Sequence, residues 1–220
     1  MLELVLATRN RGKAVEIASL LRDFHVQVNT LEAFPDIEEI PETGSTFAEN
    51  ALIKARTVAR ATGLISLADD SGLEVAALNG APGVYSARFN GFGSTDEQNN
   101  AKLLRLMADV PWQDRQARFV CVIAVHAPQY GGRELVAKGS WSGRIAMTMI
   151  GTNGFGYDPL FLDEELGLTA AQMEPEQKNA RSHRAAALRE LEKSWPIFIK
   201  NITGHLDFSG PGMHLPEDGP

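Results

Sequence analysis

The strongest constraint on the fold is a pair of long β-rich runs, residues 117–127 and 134–140, with Gly131-Gly132 between them. Two such runs around a glycine turn read as a hairpin, whose strands pair antiparallel. Elsewhere helical and strand signals alternate. Residues 2–7 are an apolar run and residues 8–12 a polar loop. Ala14, Ile17, Ala18, Leu21 and Phe24 then recur at helical spacing. Residues 25–30 are β-like, and residues 32–42 collect acidic residues and prolines, which suggests a mobile loop. Thr46-Phe47-Ala48-Glu49 has the form of a capping box and opens an amphipathic helix carrying Ala51, Ala55, Val58 and Ala59. Residues 64–68 read as strand, Asp69-Asp70-Ser71-Gly72 as a break, and residues 73–78 as strand again. Helix is expected from Thr95 to about Ala108, and again between about Glu174 and Trp195. Together these signals predict an α/β fold with a mixed central β-sheet and flanking helices. Residues 1–195 form one domain, and residues 196–220, with prolines and glycines near their end, read as a loosely ordered tail.

Charge and cysteine content narrow the function. With 28 acidic residues against 21 Lys and Arg, the net charge is −7. That balance argues against electrostatic capture of nucleic acid or an anionic membrane, while a small anionic ligand can still be held by a few local cations. The single cysteine, Cys121, permits no internal disulfide and no cysteine-based zinc site. It lies in an apolar run too short to span a bilayer. The N-terminal run lacks the basic flank of a signal peptide. A cytoplasmic location is expected.

Three groups of residues carry candidate chemistry. The first is Ala7-Thr8-Arg9-Asn10-Arg11-Gly12-Lys13-Ala14, between the first strand and helix. Amides at a helix start favour anions, and Arg9, Arg11 and Lys13 add charge suited to phosphate. The spacing mimics a Walker A loop, but Ala7 and Ala14 stand where that motif needs Gly and Ser/Thr. A solvated loop with surface cations accounts for the same residues equally well. The second group is acidic, Glu42 together with Asp69-Asp70 at the expected strand end. Carboxylates there suit a hard divalent cation; strand alternation sends Asp69 and Asp70 to opposite faces, so one of them meets the metal. A turn stabilised by Asp side chains is the alternative. The third group joins Phe155-Gly156-Tyr157-Asp158 to Lys178 and Ser182-His183-Arg184, offering a stacking face and both hydrogen-bonding characters for a heterocyclic base. Its alternative is a β-turn with a core aromatic. Phosphate, metal and base sites in one chain point to a nucleotide hydrolase or transferase, or to a nucleotide sensor.

The segments Leu6 to Lys13, Glu42 to Ala51, Ala68 to Leu73, Gly80 to Arg88, Gly154 to Pro159 and Ser182-His183-Arg184 occur in the order seen in one family. They resemble the inosine/xanthosine triphosphate pyrophosphatases of the Ham1 type, the house-cleaning enzymes for non-standard purine nucleotides. The resemblance implies a two-lobed mixed-sheet fold with the active site between the lobes, usually a homodimer. It implies Mg2+-dependent hydrolysis of ITP, dITP and XTP to the monophosphate and pyrophosphate. By the same resemblance Thr8, Arg9, Asn10, Arg11, Gly12 and Lys13 match the phosphate loop, and Asp70 matches the proton acceptor. Glu42 with Asp70 matches the metal site, and Ser71, Phe155, Gly156, Tyr157, Asp158, Lys178, His183 and Arg184 match the remaining substrate contacts. Position 9 departs from the family, since Gly is usual where Arg9 stands.

Overall fold

The computed structural model describes residues 2–204. Its centre is a seven-stranded sheet in the order β2-β1-β3-β4-β5-β6-β7. Strand β1 (Leu2–Leu6) runs parallel to β2 (Val26–Thr30) on one side and to β3 (Ile65–Val75) on the other. From β3 onward every pairing is antiparallel, through β4 (Gln116–Ala127), β5 (Arg133–Ile145), β6 (Phe161–Asp163) and β7 (Leu168–Thr169). The hairpin read from the sequence is β4–β5, in register from Ala127↔Arg133 to Gln116↔Arg144. Gly131 and Gly132 turn it with φ of 73° and 70°, backbone that favours glycine.

Helices cover both faces, which is why β4 reads as a continuous apolar run rather than an alternating one. Cys121, Ile123 and Val125 join a core built with α1 (Arg11–Leu20) and α5 (His183–Thr203). Val120, Val122 and Ala124 join another built on α2 (Phe47–Thr62). A third core gathers α3 (Asp96–Leu106) and the outer strands around Phe119, Trp141 and Phe161. The cap of α2 is half of the expected box: Thr46 accepts the Glu49 amide, while the Glu49 carboxylate takes the amide and hydroxyl of Ser45.

Three expectations need correction. Asp69-Asp70-Ser71-Gly72 is no break, because β3 runs unbroken and pairs with β4 from Ser66↔His126 to Val75↔Ala117. A full ladder outweighs the local turn signal. The helix expected between Glu174 and Trp195 is two: α4 (Pro175–Arg181), then α5 after a break at extended Ser182, whose hydroxyl caps α5 by accepting the Ala185 amide. The third correction concerns Pro196, which lies inside α5. A helix-interior proline costs about 3 kcal/mol; here the turns beyond it bury Phe198 and Ile202, with Trp195 set edge-on to Phe24 at 5.4 Å. The boundary drawn at residue 195 therefore falls within a helix. The rest of the expected tail, residues 205–220, lies outside the described residues.

Candidate active site

The site forms where β1 stops. Its last contact with β3 is the Ala7 amide donating to the Leu67 carbonyl at 2.8 Å. The chain then leaves for α1, so β3 beyond Leu67 has no strand on that side. Since β2 lies on the far edge of β1, this is the reversal of strand order at which α/β sheets place ligands.

Strand alternation divides the two aspartates between the faces. Asp69 meets cations from α1 and α5, Lys13 Nζ at 3.1 Å and Arg184 Nε at 3.5 Å. Ser71, two residues on, donates to Asp69 at 3.1 Å and accepts from Arg184 at 3.0 Å. Asp70 faces α2, where it takes Lys54 Nζ at 2.8 Å and the Asn50 amide at 3.3 Å. Lys54 also pairs with Glu42 at 2.9 Å, and Arg88 holds the other oxygen of Glu42 at 3.2 Å. Burial pushes Asp69 up, but Lys13, Arg184 and Lys54 overcome it and hold its carboxyl far below the usual range. For Asp70 burial wins, and its pKa is raised despite Lys54 and Lys13. Burial also acts on Glu42, yet Lys54 prevails and lowers it.

The opposite wall comes from the loop before β6 and from α4 and α5. Asp158 accepts Lys178 Nζ at 2.6 Å and the Phe155 amide at 2.9 Å. The Phe155 ring lies 5.0 Å from Lys178 Nζ and 5.2 Å from the Arg184 guanidinium carbon. A Cβ at Gly12 would stand 2.8 Å from the ring, so a larger residue there would displace Phe155. Gly156 is tied to α3, donating to Asp96 at 2.7 Å and accepting from Asn100 at 2.8 Å. Tyr157 is buried, with its hydroxyl donating to the Ser86 carbonyl at 2.9 Å. His183 is buried and stacked on Phe119 at 4.7 Å; burial, with Arg184 and Lys178 beside it, keeps its pKa well below the ordinary histidine value.

One pocket is lined by Asn10, Lys13, Ser71, Phe155, Gly156, Tyr157, Asp158, His183 and Arg184. Lys178 supports Asp158 and Phe155 from behind, and Thr8 accepts the Asn10 amide at 3.2 Å. Glu42 and Asp70 gather on the α2 side. Arg9 and Arg11 are not in the pocket: Arg9 donates to the Ile37 carbonyl, and Arg11 pairs with Glu32 at 3.8 Å. Two central residues were missed from the sequence. Glu16 on α1 bridges Lys178 at 2.9 Å and Arg184 at 2.7 Å. Lys54 is the other, and its signal was available, because Asn50 and Lys54 interrupt the apolar face of α2 one turn apart.

The fit to a divalent cation rests on the donor set. No group of three or more His, Cys, Asp or Glu side chains gathers among the described residues. Glu42 and Asp70 converge on one ammonium group, as two hard oxygen donors. That suits Mg2+, which takes one or two carboxylates and completes its shell with water and phosphate.

The sequence profile of the Ham1 family matches residues 4–194. The chain belongs to the Ham1 family. It is 54% identical to the dITP/XTP pyrophosphatase of Nitratidesulfovibrio vulgaris over 89% of this chain and 96% of that one. It is 48% identical to the dITP/XTP pyrophosphatase of Listeria monocytogenes over 92% and 99%. Among solved structures, a Ham1 protein from Coxiella burnetii superposes with a TM-score of 0.80 at 47% identity, covering 88% of this chain and 98% of that one. The Staphylococcus aureus Ham1 protein gives 0.77 at 43%, covering 87% and 96%. This agreement extends to the mixed-sheet α/β architecture expected from the sequence.

Proposed function

We propose that this cleft hydrolyses dITP, ITP and XTP to the monophosphate and pyrophosphate. The observation that carries the reading is the division of Asp69 and Asp70 across β3. One aspartate organises the cations Lys13 and Arg184, and the other joins Glu42 at a hard-oxygen site. The names of the relatives, dITP/XTP pyrophosphatases, agree with it.

The triphosphate lies against the start of α1. There the amides of the first turn and Lys13 bind its oxygens and stabilise charge on the departing pyrophosphate. Glu42 and Asp70 would hold Mg2+, which supplies neutralisation of the phosphate oxygens when bound. Water attacks the α-phosphorus, the bond to the bridging oxygen of pyrophosphate breaks, and Asp70 takes the proton from the attacking water. Asp70 lies on the Glu42 side of the strand, whereas Asp69 is occupied by Lys13 and Arg184.

Phe155 stacks on the base and Arg184 donates to its 6-oxo oxygen. Arg184 carries five N–H donors, and Glu16 and Ser71 engage two of its nitrogens, so donor capacity remains. Adenine offers an amino donor where hypoxanthine and xanthine offer an acceptor. A buried mismatch of that kind discriminates by roughly 10⁴. The same proposal includes a cytoplasmic homodimer, in keeping with the acidic chain, a buried lone cysteine, and exposed apolar side chains such as Phe92 and Met149. No described helix is long and apolar enough to cross a membrane.

The test is product analysis with ITP, XTP, dITP, GTP and ATP under Mg2+, measuring pyrophosphate and orthophosphate separately. Pyrophosphate from the first three, well above ATP, is expected. Orthophosphate release, or no turnover, overturns the reading.

A further inference from the structure

Arg9 is a cation of the phosphate loop whose function the pocket leaves unexplained. Its backbone does not call for glycine. Among the described residues only His25 and Asn79 have positive φ without being glycine. The exposed guanidinium donates from Nη2 to the carbonyl of Ile37, 28 residues further on. Arg11 makes a weaker second link between the same two loops, to Glu32, with both side chains largely in solvent.

The segment reached in this way is poorly anchored by itself. Between the short turn Leu31–Ala33 and the start of α2 at Phe47 it has no regular secondary structure. Phe34, Ile37 and Ile40 touch the α2 core. However, a cavity remains beneath them, lined by these three residues with Thr57 and Ala61 of α2. Apolar packing therefore holds the segment only in part. Five residues after Ile37 the segment delivers Glu42 to Lys54 and Arg88. Arg9 thus links the approach to Glu42 with the loop that holds Lys13.

We propose that Arg9 is a positioning residue for the reaction: by strapping the Ile37 carbonyl to the phosphate loop it sets the segment that presents Glu42. The proposal rests on the reading above that Glu42 holds the divalent cation. It assigns Arg9 to the geometry of the acidic side of the site, where its charge alone suggested a phosphate contact.

The test compares Arg9→Met, which keeps length and loses every donor, with Arg9→Lys, which keeps one. The first readout is amide hydrogen exchange of residues 36–42 in the protein without nucleotide or metal. Losing one charge-assisted hydrogen bond should speed it by about tenfold in Arg9→Met, with Arg9→Lys intermediate. The second is the Mg2+ concentration giving half-maximal ITP turnover, which should rise several-fold in Arg9→Met and recover in part in Arg9→Lys. Exchange that matches the wild type overturns the proposal, and so does an unchanged Mg2+ requirement. A KM for ITP that rises while both readouts stay fixed makes Arg9 a phosphate ligand instead. If the wild type itself releases no pyrophosphate from ITP, the proposed function has failed, and the exchange measurement still reports on the strap alone.

Discussion

Replacing Asp69 by Asn keeps the shape of the side chain and removes its charge. In the folded protein that carboxylate is fully enclosed, with Lys13 at 3.1 Å and Arg184 at 3.5 Å. Breaking a buried ion pair from one side typically costs 3–5 kcal/mol. Two features place Asp69→Asn at the lower end. Arg184 retains Glu16 at 2.7 Å, and the Lys13 side chain is 17% exposed and can turn to water. A loss of about 3 kcal/mol is expected, which for a domain of this size lowers Tm by roughly 6–12 °C. The pH dependence identifies the cause. The folded pKa of Asp69 is depressed, so its charge contributes in full above the unfolded value near 4 and is lost as pH falls through the folded one. Urea unfolding of both proteins should therefore show a constant difference from pH 8 to 5 that narrows below about pH 4. A difference under about 1 kcal/mol at pH 7, or one as large at pH 3 as at pH 7, would refute charge as the source.

Two further outcomes follow from the same contacts. Arg184→Ala should lower the ratio of kcat/KM for ITP over ATP by about tenfold or more, worth roughly 1.4 kcal/mol; a ratio that holds while both values fall assigns Arg184 to packing or phosphate. Ending the chain after Trp195 removes Phe198 and Ile202, each less than a tenth exposed, and at about 2 kcal/mol apiece should cost about 4 kcal/mol in urea unfolding. An unchanged unfolding midpoint would mean that the last turns of α5 contribute nothing.

Local pattern made part of this molecule legible. The β4–β5 hairpin, the Thr46 cap and the apolar face of α2 are set within a few residues, and each lies where periodicity and turn chemistry put it. Asp69-Asp70-Ser71-Gly72 shows where that reasoning fails. By themselves these residues favour a turn; the ladder with β4 keeps them in a strand, and cations arriving from α1, α2 and α5 neutralise the two carboxylates it buries. Pro196 failed for a similar reason, since the burial that carries the helix past it depends on Phe24, far away in the chain. Around the pocket, residue type singled out Lys13, Asp70, Phe155 and Arg184 as candidates. Glu16 stayed hidden because a charge on a helix ordinarily reads as solvated, and Lys54 was passed over although it interrupts an apolar helix face. Arg9 was visible as a cation, but its direction was not, because Ile37 sits on another loop.

The unbroken course of β3 also limits how this site can change over time. The two acidic half-sites are neighbours in one chain, so their separation is a covalent length of about 3.8 Å between Cα atoms. Movement of one helix against another leaves it untouched. Insertions are a different matter. One extra residue between Ile65 and Asp69 would turn every later side chain of the strand to the other face. Asp69 would then meet Lys54, and Asp70 would meet Lys13 and Arg184. An insertion among residues 35–41 shifts one wall only and leaves that order intact. Length variation in such a chain belongs in the loops around the cleft, and the strand that divides it must keep its count.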